Sequence, residues 1–161
     1  MKKEFDENLC KRYPKIFRDR RGDMTKTLMC WGFECGDGWA NIINVLCHCI
    51  QSHIDWSEKQ AVWDVEWNEK NPDKQREVTK PCPQVIAVQV KEKFGSLRFY
   101  VEGGDDITHG MIRMAESMSE LTCETCGSPG KQRPGGWVKT LCDEHYNERE
   151  EKKLLKEGYE Q

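Results

Sequence analysis

Residues 85–101, "VIAVQVKEKFGSLRFYV", are rich in β-branched and aromatic side chains and alternate apolar with polar positions. That pattern predicts an antiparallel hairpin with one face buried and one face wet. Ile86, Val88 and Val90 are expected on one face, and Leu97, Phe99 and Val101 join them after a turn at Phe94-Gly95. The opposite face then carries Gln89, Lys91, Lys93, Arg98 and Tyr100.

Upstream of the hairpin the periodicity is helical. Phe5, Leu9 and Ile16 stand near helical spacing, and Pro14 limits any helix there. The glycine-rich "CWGFECGDGW" (30–39) leads into a stripe of Trp39, Ile42, Ile43, Leu46, Cys49, Ile50 and Ile54, a helix expected to run to about His53 with Asp37 as its cap. Asp55 or Ser57 is expected to cap a second, acidic helix, "EKQAVWDVEWNEK", and "NPDKQREVTKPCP" (71–83) reads as a linker. Downstream, Asp105 or Asp106 caps a helix whose stripe is Ile107, Met111, Met114, Ala115, Met118 and Leu121. The three methionines of that stripe are expected to pack on Val88, Val90, Leu97 and Phe99. Residues 143–157 read as a charged helix.

The segment "CETCGSPGKQRPGGWVKTLCDEH" (123–145) carries the chemistry. A Cys-x2-Cys turn, fifteen intervening residues and a Cys-x2-His turn offer Cys123, Cys126, Cys142 and His145 to one tetrahedral Zn²⁺. Gly127 directly follows the first turn, where a left-handed backbone is needed cheaply. Four protein ligands close the coordination shell, and the His-x-Glu motif of zinc deaminases is absent, so one structural zinc per chain is expected. Elsewhere, His53 with Asp55 suggests an acid–base pair lacking a nucleophile, and Cys30 and Cys35 with His48 or His53, together with the run Cys47-His48-Cys49, offer material for a second metal site or simply buried thiols.

With nine cysteines and no apolar run in "MKKEFDENLC", thiols or metal ligands in a reducing, cytoplasmic setting are expected rather than a disulfide framework. No stretch has the apolar length of a membrane span. The net charge of -3 conceals blocks: nine basic against five acidic residues over 1–26, and one Lys against seven acids over 34–69. Such a balance argues against indiscriminate coating of DNA and leaves room for a local basic patch. Lys91, Lys93, Arg98 and Tyr100 are the candidate ligand-binding residues, since cations suit phosphate oxygens and a tyrosine ring suits a base. The bland alternative is a sheet surface kept soluble by charge.

"VKEKFGSLRFYV", "AESMSELTCETCGSPG" and "GWVKTLCDEH", with "CWGFECGDGW" before them, resemble a family of small zinc-knuckle proteins of phages and prophages, over most of residues 30–145. The resemblance implies zinc on Cys123, Cys126, Cys142 and His145, an accessory role in the cytoplasm of a bacterial host, and no particular reaction. The expected architecture is α+β: residues 1–121 with a helical first half, a two- or three-stranded antiparallel sheet and a packed helix; a zinc knuckle over 122–146; and a charged helical tail over 147–161. The function expected is non-enzymatic, anti-defence binding of an anionic host ligand such as a nucleotide signal. The alternatives are inhibition of a host defence enzyme by protein–protein contact, and nucleic-acid-binding regulation.

Overall fold

Thirty-one consecutive residues, Ala40–Lys70, form a single helix, α2. The computed structural model to which it belongs describes residues 1–159, so the last two residues of the 147–161 tail lie outside the described residues. The break expected at Asp55 or Ser57 does not occur, because neither side chain is available as a cap. The Ser57 hydroxyl is buried, donates back to the Ile54 carbonyl (2.8 Å) and accepts the Cys82 N–H (2.8 Å). Asp55 accepts from Gln51, one turn earlier, at 2.8 Å.

The polar second half of α2 is held by the segment that reads as a linker. Asp64 accepts both the N–H and the hydroxyl of Thr79 (2.9 and 2.6 Å), and Asn68 exchanges two bonds with the backbone of Arg76. The Arg76 guanidinium lies over the rings of Trp63 (4.4 Å) and Trp67 (3.8 Å). Residues 76–79 are thus strapped back along the helix.

At the other end, α1 (Lys3–Arg12) stops just before Pro14, with Leu9 buried and Phe5 outside. Asp6 forks onto Arg20, which also donates to the Cys30 carbonyl, so Arg20 ties α1 to the loop before the sheet. Asp37 does not cap α2. Its carboxylate accepts the Lys2 N–H at 2.6 Å and pairs with the Lys2 ammonium at 3.3 Å.

The hairpin forms as β2 (Ile86–Lys93) and β3 (Ser96–Glu102), joined by Phe94 and Gly95, both with positive φ. Two left-handed residues make the turn whose twist matches the strands. A third strand, β1 (Phe33–Glu34), pairs with β2 in parallel, so the sheet is mixed and ordered β1-β2-β3. The alternation expected along β2 is interrupted by a bulge at Val88: Ala87 lies opposite Val101, whereas Gln89 lies opposite Tyr100. The extra residue shifts the phase, so Ala87 and Val90, not Ile86 and Val88, share the inward face. Phe33, Val90 and Phe99 stand in one buried row across the three strands. Phe17 meets Phe33 and Phe99 edge-on, with ring centroids at 5.0 and 6.2 Å.

Asp105 is the cap of α3 (Asp106–Ser119), in a reciprocal capping box with Thr108. The face that α3 buries matches the expected stripe at Ala115 and the half-buried Met111 and departs from it elsewhere. Thr108, Ile112, Ala115 and Ser119 are inside, while Ile107, Met114, Met118 and Leu121 are between 48% and 70% exposed. The small and polar side chains face inward because α3 lies close against the β3 backbone. Ser119 Oγ accepts the Leu97 N–H (2.8 Å) and the Glu116 carboxylate accepts the Phe99 N–H (3.0 Å). Backbone donors that need partners outrank the apolar count of the helix. Among the described residues no cysteine is paired in a disulfide, and no helix is long and apolar enough to cross a membrane.

Candidate metal centre

After α3 the chain turns through Cys123–Cys126, forms a short ribbon, β4 (Lys131–Arg133) and β5 (Lys139–Leu141), and enters α4 (Asp143–Tyr159). Cys142 ends the ribbon and His145 lies in the first turn of α4. The first turn is closed by the Gly127 N–H on the Cys123 carbonyl (2.9 Å) and by the Cys123 N–H on the Ser128 carbonyl (2.8 Å). Gly127 has φ of 79°, the left-handed conformation its position requires.

The three sulfurs and the imidazole converge as the spacing predicts. Their donor atoms all lie within 4.8 Å of one another. Cys126 and Cys142 sulfurs are 3.9 Å apart, and His145 Nδ1 is 3.1 Å from Cys142 Sγ and 3.8 Å from Cys123 Sγ. A tetrahedral ion with metal–sulfur bonds of about 2.3 Å separates its sulfurs by about 3.8 Å and sulfur from nitrogen by about 3.6 Å. The four residues therefore fit a metal ion in both chemistry and size. Cys123 is fully buried and Cys126 is at the surface. Hydrogen bonds from Ser128 pull the Cys126 thiol down to about 6, so one donor is already disposed to be a thiolate.

The knuckle is fastened to the rest of the chain by contacts that involve two glycines. A Cβ on Gly36 would stand 2.2 Å from the Glu124 carbonyl oxygen, and one on Gly38 would stand 2.2 Å from that of Cys123. Only a bare backbone allows this approach. The Gly38 N–H then donates to the Glu124 carbonyl (2.8 Å), the Gly36 N–H to the Glu124 side chain (3.0 Å), and the Trp39 indole to the Thr122 carbonyl (2.9 Å).

A second fastening is electrostatic. The Lys139 ammonium bridges Glu124 (2.7 Å) and Glu92 (3.0 Å), tying the ribbon to the first turn of the knuckle and to the hairpin. Burial lowers the pKa of Lys139, but bonds to Glu124 and Glu92 outweigh it and raise the group overall. Glu92 also accepts the Gly95 N–H (2.8 Å) and the Trp137 indole (3.2 Å). Arg133 is buried, donates to the Leu141 carbonyl and Asp143, and lies over the Tyr146 ring at 4.6 Å.

The candidate ligand face of the hairpin is arranged as follows. Lys91 stands opposite Arg98, Gln89 opposite Tyr100, and Lys93 opposite Ser96. Lys91 and Arg98 are half-buried, whereas Lys93 and Tyr100 are exposed, and the Lys91 ammonium is 5.7 Å from the Tyr100 ring centre. Glu34 sits beside Lys91 across the parallel pair and accepts from Gln89 (3.0 Å), which lowers the positive charge of the face. The largest of the described cavities, about 1000 Å³, lies elsewhere, beside the knuckle between Lys2, Glu124, Lys139, His145 and Arg149.

His53 does not pair with Asp55. Its Nε2 is 2.7 Å from Asp105 Oδ2, and Asp55 faces Lys15 at 3.8 Å. Cys30, Cys35, Cys47 and Cys49 make no metal-ligating group among the described residues; the second such group is His53, Cys82 and Asp105. No local signal marks it, since its members come from α2, the segment between the strap and β2, and the cap of α3. Gly36 and Gly38 had a visible signal, two glycines flanking one residue, that reads equally well as a loose turn. Comparison with family models, with curated proteins and with solved structures finds no match to this chain.

Proposed function

We propose that this protein is a phage-type accessory binding protein, organised by one structural zinc on Cys123, Cys126, Cys142 and His145, that captures an anionic host ligand without chemical turnover. Three thiolates and an imidazole are a set that zinc favours, and four protein ligands leave no position for a substrate. The observation that carries the binding assignment is the outer row of the hairpin: Lys91 beside Arg98, with Tyr100 under the Lys91 ammonium. A guanidinium and an ammonium suit phosphate oxygens, and the adjoining ring suits a base. The row is open rather than enclosed, so it favours a ligand carrying several phosphates or one covered from its other side by a partner.

The test is Lys91→Glu with Arg98→Glu in the full chain, probed with a cyclic dinucleotide, ATP and a short oligonucleotide. Binding is expected to fall at least tenfold while metal content is unchanged. Undiminished binding by the double variant overturns the assignment.

A second reading, inhibition of a host enzyme by protein contact, draws on the exposed strip of Ile107, Met114, Met118 and Leu121 along α3. Arg113→Glu together with Met118→Glu would weaken such a complex and leave nucleotide binding intact.

A further inference from the structure

His53, Cys82 and Asp105 lie 29 and 23 residues apart along the chain, yet their donor atoms fall within 4.8 Å of one another. One comes from the middle of α2, one from the segment between the strap and β2, and one from the cap of α3. We propose that these three residues bind a second transition-metal ion, of the zinc or cobalt class, with one coordination position left open. One imidazole nitrogen, one thiolate and one carboxylate oxygen form a borderline donor set that suits Zn²⁺ and Co²⁺ and disfavours Mg²⁺ or Ca²⁺. Three protein ligands and a vacant fourth position are the arrangement of zinc sites that take water or an outside ligand, unlike the closed knuckle.

The surroundings hold the ligands in place. The Cys82 N–H is anchored on the Ser57 hydroxyl (2.8 Å), and Cys82 itself is only 4% exposed. Asp105 uses Oδ1 to accept the Thr108 N–H (2.9 Å), leaving Oδ2 to face His53. The His53 ring stacks on Trp56, with centroids 6.4 Å apart. Such outer contacts orient metal ligands. The Asp105 side chain is 33% exposed, which gives an ion a way in. Without metal, His53 and Asp105 sit at hydrogen-bond distance, 2.7 Å. An ion between these atoms, with the imidazole N–H on Nδ1, spreads them to about 3.3 Å, a small side-chain rotation. Cys82, pushed up to about 11 by burial and the nearby Asp105, gives up its proton as the ion binds. That proton goes to solvent, and no electron is transferred.

The site shares no residue with the knuckle or the hairpin face, so it stands or falls separately from the function proposed above. The experiment is zinc counting by native mass spectrometry on the full-length protein equilibrated with excess Zn²⁺. Two ions are expected on the wild type, one on Cys82→Ser and on His53→Gln, and one on the Cys126→Ser, Cys142→Ser double variant. Cobalt replacement in the wild type checks the result without mutation: the second equivalent is expected to add the sulfur-to-metal absorption of a single thiolate, about one-third of that from the first. A wild type that saturates at one ion, a second cobalt with no sulfur band, or folded Cys82→Ser and His53→Gln variants that both retain two ions overturns the proposal.

Discussion

The backbone of Gly38 lies so close to Cys123 that a methyl group on the glycine would stand 2.2 Å from the cysteine's carbonyl oxygen. These residues are 85 positions apart in the chain. The metal-ligating turn and the entrance to α2 are therefore built as one unit. Gly38→Ala is expected to lower stability by about 1–3 kcal/mol or more, because neither backbone can yield without losing the Gly38–Glu124 hydrogen bond. Chemical denaturation of the variant measures it; an unchanged midpoint would contradict the contact.

Removing one knuckle ligand should uncouple the knuckle from the rest. Cys142→Ser is expected to release the metal held with Cys123, Cys126 and His145, since binding and local folding are linked. Hydrogen exchange should then accelerate over residues 122–146 and remain slow in the centre of α2. Full retention of the knuckle metal by the variant would refute the assignment.

The two faces of α3 give opposite outcomes for one substitution. Met114→Asp should change stability by less than about 0.5 kcal/mol, because the side chain is 62% exposed. Ile112→Asp, at a position only 6% exposed, should cost several-fold more by burying an unpaired charge. Ser119→Ala should cost about 1–3 kcal/mol, since the Leu97 N–H loses its acceptor. Thermal melts of the three variants in parallel measure the contrast.

Buried thiols make stability fall at alkaline pH. Burial raises Cys35 from an ordinary value near 9 to about 12, and raises Cys47 well above the same value. A thiol whose folded pKa is raised contributes stability that is complete below about pH 9. That contribution declines as pH rises from there toward the folded value, because only the unfolded chain ionises. Each such thiol removes up to about 1.4 kcal/mol per pH unit in that window. Urea titrations at pH 8, 9 and 10 should show the decline, and Cys47→Ala should flatten it.

Features set by neighbouring residues were legible in the sequence. The hairpin turn at Phe94-Gly95, the Asp105 cap, the convergence of Cys123, Cys126, Cys142 and His145, and the left-handed Gly127 all depend on short spacings. Features set by distant hydrogen bonds were not. Ser57 looks like a cap until the Cys82 N–H, 25 residues away, is seen to claim its oxygen. Met114 and Met118 look like core until the β3 backbone is seen to require Ser119 and Glu116 on the inner side. The bulge at Val88 is likewise invisible to alternation, because one inserted residue shifts the face of every residue before it.

The bonds from Leu97 and Phe99 to Ser119 and Glu116 carry a consequence for recognition. An extended peptide joins a sheet by finding a run of open N–H and C=O groups along an edge strand. At the β3 edge two of those donors are occupied by side chains of α3, and β1, at the opposite edge, is only two residues long. Both edges of this sheet therefore offer a partner strand little open backbone. Recognition along this sheet falls mainly to its side chains.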